Sequence, residues 1–203
     1  MSPRPPPKRR YPIEPLTAGE VKLLMRQFST TTATGIRNRA LITVMYRSGL
    51  RISEALALKP ADVDPKQGSI RVLHGKGDKS RVVSIDDDAL AVVQRWMDRR
   101  KIARIRNGYL FCTLQGADIK GSYVRAMLKR QAERAGITKR IHPHGLRHSH
   151  AAELVAEGVP VNVIQQQLGH AHLSTTDVYL RHVAPADVIA IGRNRTWNLE
   201  DEA

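Results

Sequence analysis

The chain has 203 residues, of which 33 are lysine or arginine and 19 are aspartate or glutamate, so its formal net charge at pH 7 is +14. Its single cysteine, Cys112, excludes an internal disulfide framework and a cysteine-cluster zinc site, and no apolar run reaches the roughly 18 residues of a membrane-spanning helix. This composition predicts a globular cytoplasmic protein that binds a polyanion, with nucleic acid as a better candidate than an anionic membrane surface.

The first fifteen residues stand apart in composition. Residues 1–15 hold six of the eleven prolines and four basic residues, and a stretch so rich in proline cannot form a helix. Two interpretations stay open, a linker cut from a longer protein and a basic arm that lies on phosphate groups.

Three helices are predicted in the next part of the chain. Thr17, with Glu20 three residues later, is a capping box, and apolar residues follow it at helical spacing. The threonine-rich stretch 29–34 breaks this first helix. The second is predicted over 36–47, and the third over 51–58, where a proline two residues later stops it.

The apolar period then changes from 3.6 to 2. Ser69–His74 and Arg81–Ile85 are rich in β-branched residues and flank the glycine-containing loop Gly75–Lys79, which predicts an antiparallel hairpin, with a further strand near Val63. Helices are predicted downstream over 86–105, 121–135, 145–157, 160–168, 174–182 and 185–192. The predicted fold is α+β and mostly helical, with a three-stranded antiparallel sheet on one side.

Four of the eight histidines lie within residues 142–150. His144 and His148 share a helix face, as two metal ligands would, but a zinc site needs a third ligand and the glutamate of the HExxH motif is missing. The alternative pairs His144 with Arg147, one turn apart. An arginine binds phosphate oxygens through two nitrogens, and an imidazole beside it can move a proton. We favour this phosphate interpretation.

Three other motifs are weak evidence for a functional site when each is taken alone. Arg51, within Gly-Leu-Arg-Ile-Ser-Glu, is typical of a surface cation that opens a helix. His170 ends the tripeptide Leu-Gly-His. Tyr179 follows Ser-Thr-Thr-Asp-Val, and a lone tyrosine is more often a core residue than a nucleophile.

Taken together and in this order, the motifs resemble the catalytic domain of tyrosine recombinases, the phage-integrase family that includes the Xer-type site-specific recombinases. The resemblance runs from about residue 15 to about residue 185. It implies a catalytic domain over 16–184, followed by a C-terminal helix and acidic tail over 185–203. The catalytic residues that it implies are Arg51, Lys76, His144, Arg147, His170 and Tyr179, with Glu54 as a supporting acid.

The resemblance also implies a reaction, in which a tyrosine attacks the scissile phosphodiester and forms a 3′-phosphotyrosine. Tyr179 matches the nucleophile, and Arg51 and Arg147 match the clamp on the non-bridging oxygens, where negative charge develops. Lysine suits protonation of the leaving 5′-oxygen, and the family pattern favours Lys76 over its neighbour Lys79.

The remaining residues of the set have supporting chemistry. His144 matches the group that takes the tyrosine proton, and His170 matches one that hydrogen-bonds the phosphate. Glu54 matches an acid that holds the cationic side chains in place. We expect neither a metal nor a cofactor, because Asp86–Asp88 and Glu200–Glu202 are explained as a helix start and a solvated tail. The glycine-rich loop does not match the Walker A motif either.

Double-stranded DNA is the partner that the resemblance predicts. Two stretches, 120–147 and 95–106, are strongly basic, and either is a candidate to follow the phosphate backbone. Solvated helix faces are the competing explanation for about half of these side chains. The DNA contacts that we predict are Lys79, Arg81, Lys120, Arg125, Lys129 and Arg140.

The sequence leaves alternatives open for the domain content of the protein and for its assembly on DNA. Most family members carry an N-terminal core-binding domain of about a hundred residues, whereas here about fifteen residues precede the catalytic region. The chain is then either a truncated piece or a short natural recombinase. Segment 185–203 is expected to dock onto a neighbour in a tetrameric synapse on DNA, or else to pack on its own chain. The expected location is the cytoplasm, in association with the nucleoid.

Two other functions stay open beside recombination. One is a DNA-binding or regulatory module of the same fold that no longer recombines, which the missing clamp domain and the +14 charge would suit. The other is a histidine-based metalloprotein.

Overall fold

The structure is a computed structural model that describes residues 14–73 and 80–169. In these ranges the helices are α1 (Ala18–Arg26), α2 (Ala33–Arg47), α3 (Ile52–Ala57), α4 (Asp87–Ile102), α5 (Gly121–Arg134), α6 (Pro143–Ala156) and α7 (Val161–Leu168). A short 3-10 turn, Pro60–Asp62, leads into a sheet of three strands, β1 (Val63–Asp64), β2 (Ser69–Val72) and β3 (Arg81–Ser84). The predicted fold class is confirmed. The predicted helices at 174–182 and 185–192 lie outside the described residues.

Threonine side chains begin the first two helices. The amide of Glu20 donates to Thr17 Oγ1 at 3.2 Å, and the amide of Thr17 donates to Glu20 Oε2 at 2.7 Å, so the predicted capping box is present. Helix α2 begins at Ala33, three residues earlier than predicted, because Thr32 Oγ1 accepts a hydrogen bond from the Gly35 amide at 3.2 Å. The threonine-rich stretch therefore both ends one helix and caps the next.

Helix α2 forms the centre of the core. Leu41, Ile42, Val44 and Met45 are all fully buried, because the helix packs between α4 and α6. On α4, the indole of Trp96 is also fully buried, and its Nε1–H donates to the Leu110 carbonyl at 2.9 Å. That hydrogen bond satisfies the one polar atom that this large side chain brings into the core.

The sheet is antiparallel in the order β1-β2-β3. Ile70 on β2 pairs with Val83 on β3, and both side chains are buried. Val82, the residue before Val83 on the same strand, is 64% exposed. The alternation of buried and exposed residues is the pattern from which the hairpin was predicted. The loop that joins β2 to β3, with the predicted lysines, lies outside the described residues.

Helix α6 begins at Pro143, two residues before the predicted start. Proline is favourable at the first helical position, and His142 acts as the cap, since its Nδ1 accepts a hydrogen bond from the Gly145 amide at 3.0 Å. Further along α6, Ala151 forms a small apolar cluster with Ile164 and Leu168, which holds α7 against α6.

The first described residues are tied to α6 and to the loop before it. The amide of Leu16 donates to Ser149 Oγ at 2.8 Å. Lys139 Nζ lies 3.3 Å from Glu14 Oε1 and 2.9 Å from Glu20 Oε2. The start of the described chain is thus fixed next to the N-terminal half of α6. Across the described ranges, no helix combines the length and apolar character that crossing a membrane requires.

Candidate functional site

The turn between α2 and α3 places Arg51. Gly49 has a φ of +62°, and a Cβ atom there would lie 2.7 Å from His150 Cδ2 and 2.8 Å from Leu168 Cδ2. Only glycine therefore fits both the backbone conformation and the space. Two residues later, Arg51 is the extended N-cap of α3, with a φ of −67° and a ψ of 152°. The tight turn therefore packs against α6 and α7 immediately before Arg51.

Glu54 is a buried carboxylate that holds two arginines. One oxygen accepts from Arg51 Nη1 at 2.7 Å and from Arg81 Nη1 at 3.0 Å. The other accepts from the Arg51 amide at 2.8 Å and from Arg81 Nη2 at 2.9 Å. Burial alone would raise the pKa of Glu54, but the hydrogen bonds and positive charges of these arginines lower it to about 2. Glu54 is therefore ionised at every pH at which the protein would work.

The first turn of α6 carries His144. Its ring meets the ring of His148 edge-on, with centroids 4.2 Å apart, and stacks near His142 with centroids 6.5 Å apart. Partial burial lowers the pKa of His144, and the charges of Arg147 and Arg51 lower it further. The imidazole is therefore neutral at pH 7 and able to accept a proton.

Arg147 lies on the inner side of α6 and is fully buried. Its Nη1 donates to the Gly49 carbonyl at 2.6 Å, and its Nη2 donates to the Leu168 carbonyl. One guanidinium thus joins the turn before Arg51 to the end of α7. Because the backbone around it is fixed at both ends, its positive charge has a defined place beside His144 and Arg51.

Three residues of the predicted catalytic set are brought together by these contacts, namely Arg51, His144 and Arg147. They come from two parts of the chain that lie almost a hundred residues apart, the turn before α3 and the first half of α6. The other predicted residues, Lys76, Lys79, His170 and Tyr179, lie outside the described residues, and their roles stay predictions. Among the residues that the structure describes, no three histidine, cysteine, aspartate or glutamate side chains converge as metal ligands.

Arg81 is placed differently from the other predicted DNA contacts that the structure describes, which are all exposed. Its side chain is 12% exposed and binds Glu54 instead of facing open solvent. From the sequence alone, Arg81 is predicted to be a further DNA-contacting cation of the hairpin. Its period-2 position in β3 was the available signal, since residues 81 and 83 share a face and Val83 is buried.

The basic residues of α5 and of the following loop line a cleft. Arg125, Lys129 and Arg140, all predicted DNA contacts, border a cavity of about 480 Å³ that reaches His142 at the start of α6. Lys120 borders a neighbouring cavity of about 680 Å³ at the N-terminus of α5. At the same end of α5, a Cβ on Gly121 would lie 3.3 Å from the Ile52 side chain. The basic surface of α5 therefore adjoins α3 and α6, which carry Arg51 and His144.

Comparison with known proteins identifies relatives of this arrangement. A family model described as "Phage integrase family" matches residues 14–185. The tyrosine recombinase XerD of Ralstonia nicotianae is 37% identical over 172 residues, which are 83% of this chain and 56% of that protein. XerC of Thermodesulfovibrio yellowstonii is 34% identical over 194 residues, 92% of this chain and 64% of that protein.

Solved structures show the same similarity. The crystal structure of XerA recombinase superposes with a TM-score of 0.78 at 29% identity, and the match covers 91% of this chain and 66% of that one. XerH recombinase bound to palindromic difH substrate, in a post-cleavage complex, gives a TM-score of 0.74 at 27% identity over 89% of this chain and 52% of that one. The chain spans a little over half the length of most of the curated relatives that it matches.

Proposed function

The chain belongs to the phage integrase family, and from that premise we propose that it carries the catalytic site of a site-specific DNA recombinase. In this proposal it breaks and rejoins DNA strands through a 3′-phosphotyrosine intermediate, with Tyr179 as the nucleophile. The observation that carries the proposal is the meeting of Arg51, His144 and Arg147 where α3, α6 and α7 come together.

The proposed step exchanges one phosphodiester for another. The oxygen of Tyr179 forms a bond to the scissile phosphorus as the bond from phosphorus to the 5′-oxygen breaks. The tyrosine proton passes to His144, and Lys76 gives a proton to the leaving 5′-oxygen. Attack by the freed 5′-hydroxyl of another strand reverses the step and releases Tyr179. The bond energy is kept in the phosphotyrosine, so rejoining needs no nucleotide hydrolysis.

The two arginines support the proposed phosphate site in different ways. Arg51 is held by Glu54 through one side-chain nitrogen and the backbone amide, and its side chain keeps 27% of its surface exposed for further contacts. Arg147 is fully buried and donates to two backbone carbonyls, so it supplies a second positive charge near the site. Charges that are fixed before the reaction stabilise a dianion-like transition state without the cost of reorganisation.

His144 suits the role of proton acceptor. A tyrosine hydroxyl has an ordinary pKa near 10, so it needs a base and cationic neighbours to become a nucleophile near pH 7. The lowered pKa of His144 keeps its ring neutral, and an edge of the residue remains exposed to an incoming group.

Double-stranded DNA is the proposed substrate. The basic cleft of Arg125, Lys129 and Arg140 adjoins the site and would follow the phosphate backbone. XerH, one of the structural neighbours, is seen bound to its difH substrate. We further propose a tetrameric synapse that forms on DNA through segment 185–203, and a cytoplasmic location in association with the nucleoid.

The test is a trap for the covalent intermediate. The protein is incubated with nicked suicide substrates from a selected DNA library, and adducts that resist denaturant are measured. Wild type should form the adduct, whereas Tyr179→Phe should lose it entirely and keep its DNA affinity, because only the nucleophilic oxygen is removed. Equal behaviour of the two proteins would refute the mechanism. Salt-dependent binding with no adduct on any substrate would instead favour a DNA-binding module that no longer recombines.

A further inference from the structure

Arg81 opens β3 and points toward the protein interior. Its side chain is 12% exposed, and it lies on the face of the strand that also buries Val83, while Val82 faces solvent. All three nitrogens of its guanidinium donate to acceptors within the protein.

The guanidinium of Arg81 joins three elements. Nη1 and Nη2 donate to the two carboxylate oxygens of Glu54 on α3, at 3.0 and 2.9 Å. Nε donates to the carbonyl of Gln167, near the end of α7, at 3.3 Å. A planar fork of this kind is specific to arginine, because the three N–H donors of a lysine ammonium all lie on one nitrogen and cannot match acceptors spaced along the plane of a guanidinium.

The end of α7 is shaped around the same side chain. A Cβ atom on Gly169 would lie 2.9 Å from Cδ, Nε and Cζ of Arg81. The side chain of Gln167 adds a second link to β3, since its Oε1 accepts from the Ser84 amide at 3.0 Å and its Nε2 donates to the Ser84 carbonyl at 3.1 Å. Strand β3 and the last turn of α7 are therefore held together by polar contacts at both ends of the strand, through Arg81 and through Ser84.

We propose that Arg81 is a positioning residue for strand cleavage and not a contact to the DNA backbone. It fixes the Glu54–Arg51 pair relative to the end of α7, which immediately precedes His170. This proposal rests on the proposed function, because the residues that it positions are those assigned to the scissile phosphate. Small displacements of such groups are costly, and a shift of about 1 Å can lower a rate by about 100-fold.

The first experiment separates positioning from phosphate contact with Arg81→Lys and Arg81→Ala. Arg71→Ala is the matched control, because Arg71 lies on the adjacent strand, is 56% exposed and pairs with Asp62 at 3.5 Å. Single-turnover cleavage of a suicide substrate should fall about 100-fold in both Arg81 variants and stay near the wild-type rate in Arg71→Ala. The salt dependence of DNA binding should be unchanged in all three.

A role as a phosphate contact predicts different results. Arg81→Lys would then keep cleavage near the wild-type rate, because the charge is retained. Arg81→Ala would lower the slope of log affinity against log salt by about 1. Either of these two results would overturn the proposal.

A second measurement does not depend on cleavage. Hydrogen exchange of the amides at 165–169 should be about tenfold faster in both Arg81 variants, because the end of α7 loses its tie to β3 and α3. Exchange in α4 should be unchanged, which shows that the fold is intact. Unchanged exchange at 165–169 would refute the positioning role even if wild type proved active. If wild type formed no adduct, the proposed function would fail, and exchange alone would decide whether Arg81 positions this end of α7.

Discussion

At the scale of single residues, the positive charges near the proposed site are held by unlike partners. Arg51 is held by a buried carboxylate whose pKa is about 2, whereas Arg147 is held by two backbone carbonyls. The one negative charge of Glu54 is set against the two positive charges of Arg51 and Arg81, so this cluster stays positive overall. An anionic phosphate would meet that positive potential. Together with burial, the nearby arginines also lower the pKa of His144.

The pKa of His144 sets the expected pH dependence of cleavage. Burial and the nearby arginines lower this pKa below its ordinary value near 6.5. As a base, His144 must be neutral, so single-turnover cleavage should be constant between about pH 7 and 8 and should fall as pH drops through the lowered pKa. Glu54, with a pKa of about 2, titrates below this window.

The control for that profile is His144→Gln. This variant should cleave more slowly and should lose the acid limb, because no group that titrates in this range would remain in the role of base. An acid limb of unchanged position in His144→Gln would show that another residue accepts the tyrosine proton.

At the scale of secondary-structure elements, short polar contacts decide where each element ends. The last turn of α7 ends at Gly169, which has a φ of +61° and a ψ of 49° and packs on Arg81. Helix α6 is followed by Gly158, which has a φ of +76°, and a Cβ atom there would have no neighbouring atom within 4 Å. These two glycines share a left-handed backbone conformation and differ in their surroundings.

That difference gives a matched pair of substitutions. Gly158→Ala should lower the free energy of unfolding by about 1–2 kcal/mol, the usual cost of a side chain in the left-handed region. Gly169→Ala should cost more, because its Cβ must also displace Arg81, and it should reduce cleavage as the Arg81 variants do. Thermal unfolding and adduct formation measure the two effects. Equal unfolding midpoints for the two variants would contradict the close packing of Arg81 on Gly169.

Local sequence rules predicted most elements and few of the contacts between them. The Thr17–Glu20 capping box, the hairpin and the helix over 121–135 follow from neighbours in the chain, and the structure contains them. The early start of α6 depends on a histidine that acts as a cap, which is an uncommon role. The partners of Arg147 lie 98 and 21 residues away, so no local pattern could indicate them.

At the scale of the whole molecule, the net charge of +14 has an uneven structural distribution. Some cations are used inside the protein, as Arg81 and Arg147 are. Others, including Arg125 and Arg140, line the cleft beside the proposed site. A further basic stretch begins in the second half of α4, where Arg99 is exposed. Only some of these charges are therefore expected to release counterions when DNA binds.

Salt-dependent binding distinguishes these groups. Arg125→Ala and Arg140→Ala should each weaken DNA binding and lower the slope of log affinity against log salt by about 1. Arg99→Ala removes the same charge from α4 and should leave the slope unchanged. If Arg99→Ala alone lowered the slope, the DNA-binding face would lie on α4 and not along α5.

The contacts of Leu16 and Lys139 bear on protein engineering. Leu16 is bonded to Ser149, and Lys139, which lines the basic cleft, pairs with Glu14 and Glu20. The polypeptide therefore enters the domain beside the cleft. A module fused ahead of residue 14 would be tethered next to the proposed DNA path, where a DNA-binding module would raise the local concentration of its own site. The entry point thus makes this end of the domain suitable for redirecting it to a chosen sequence.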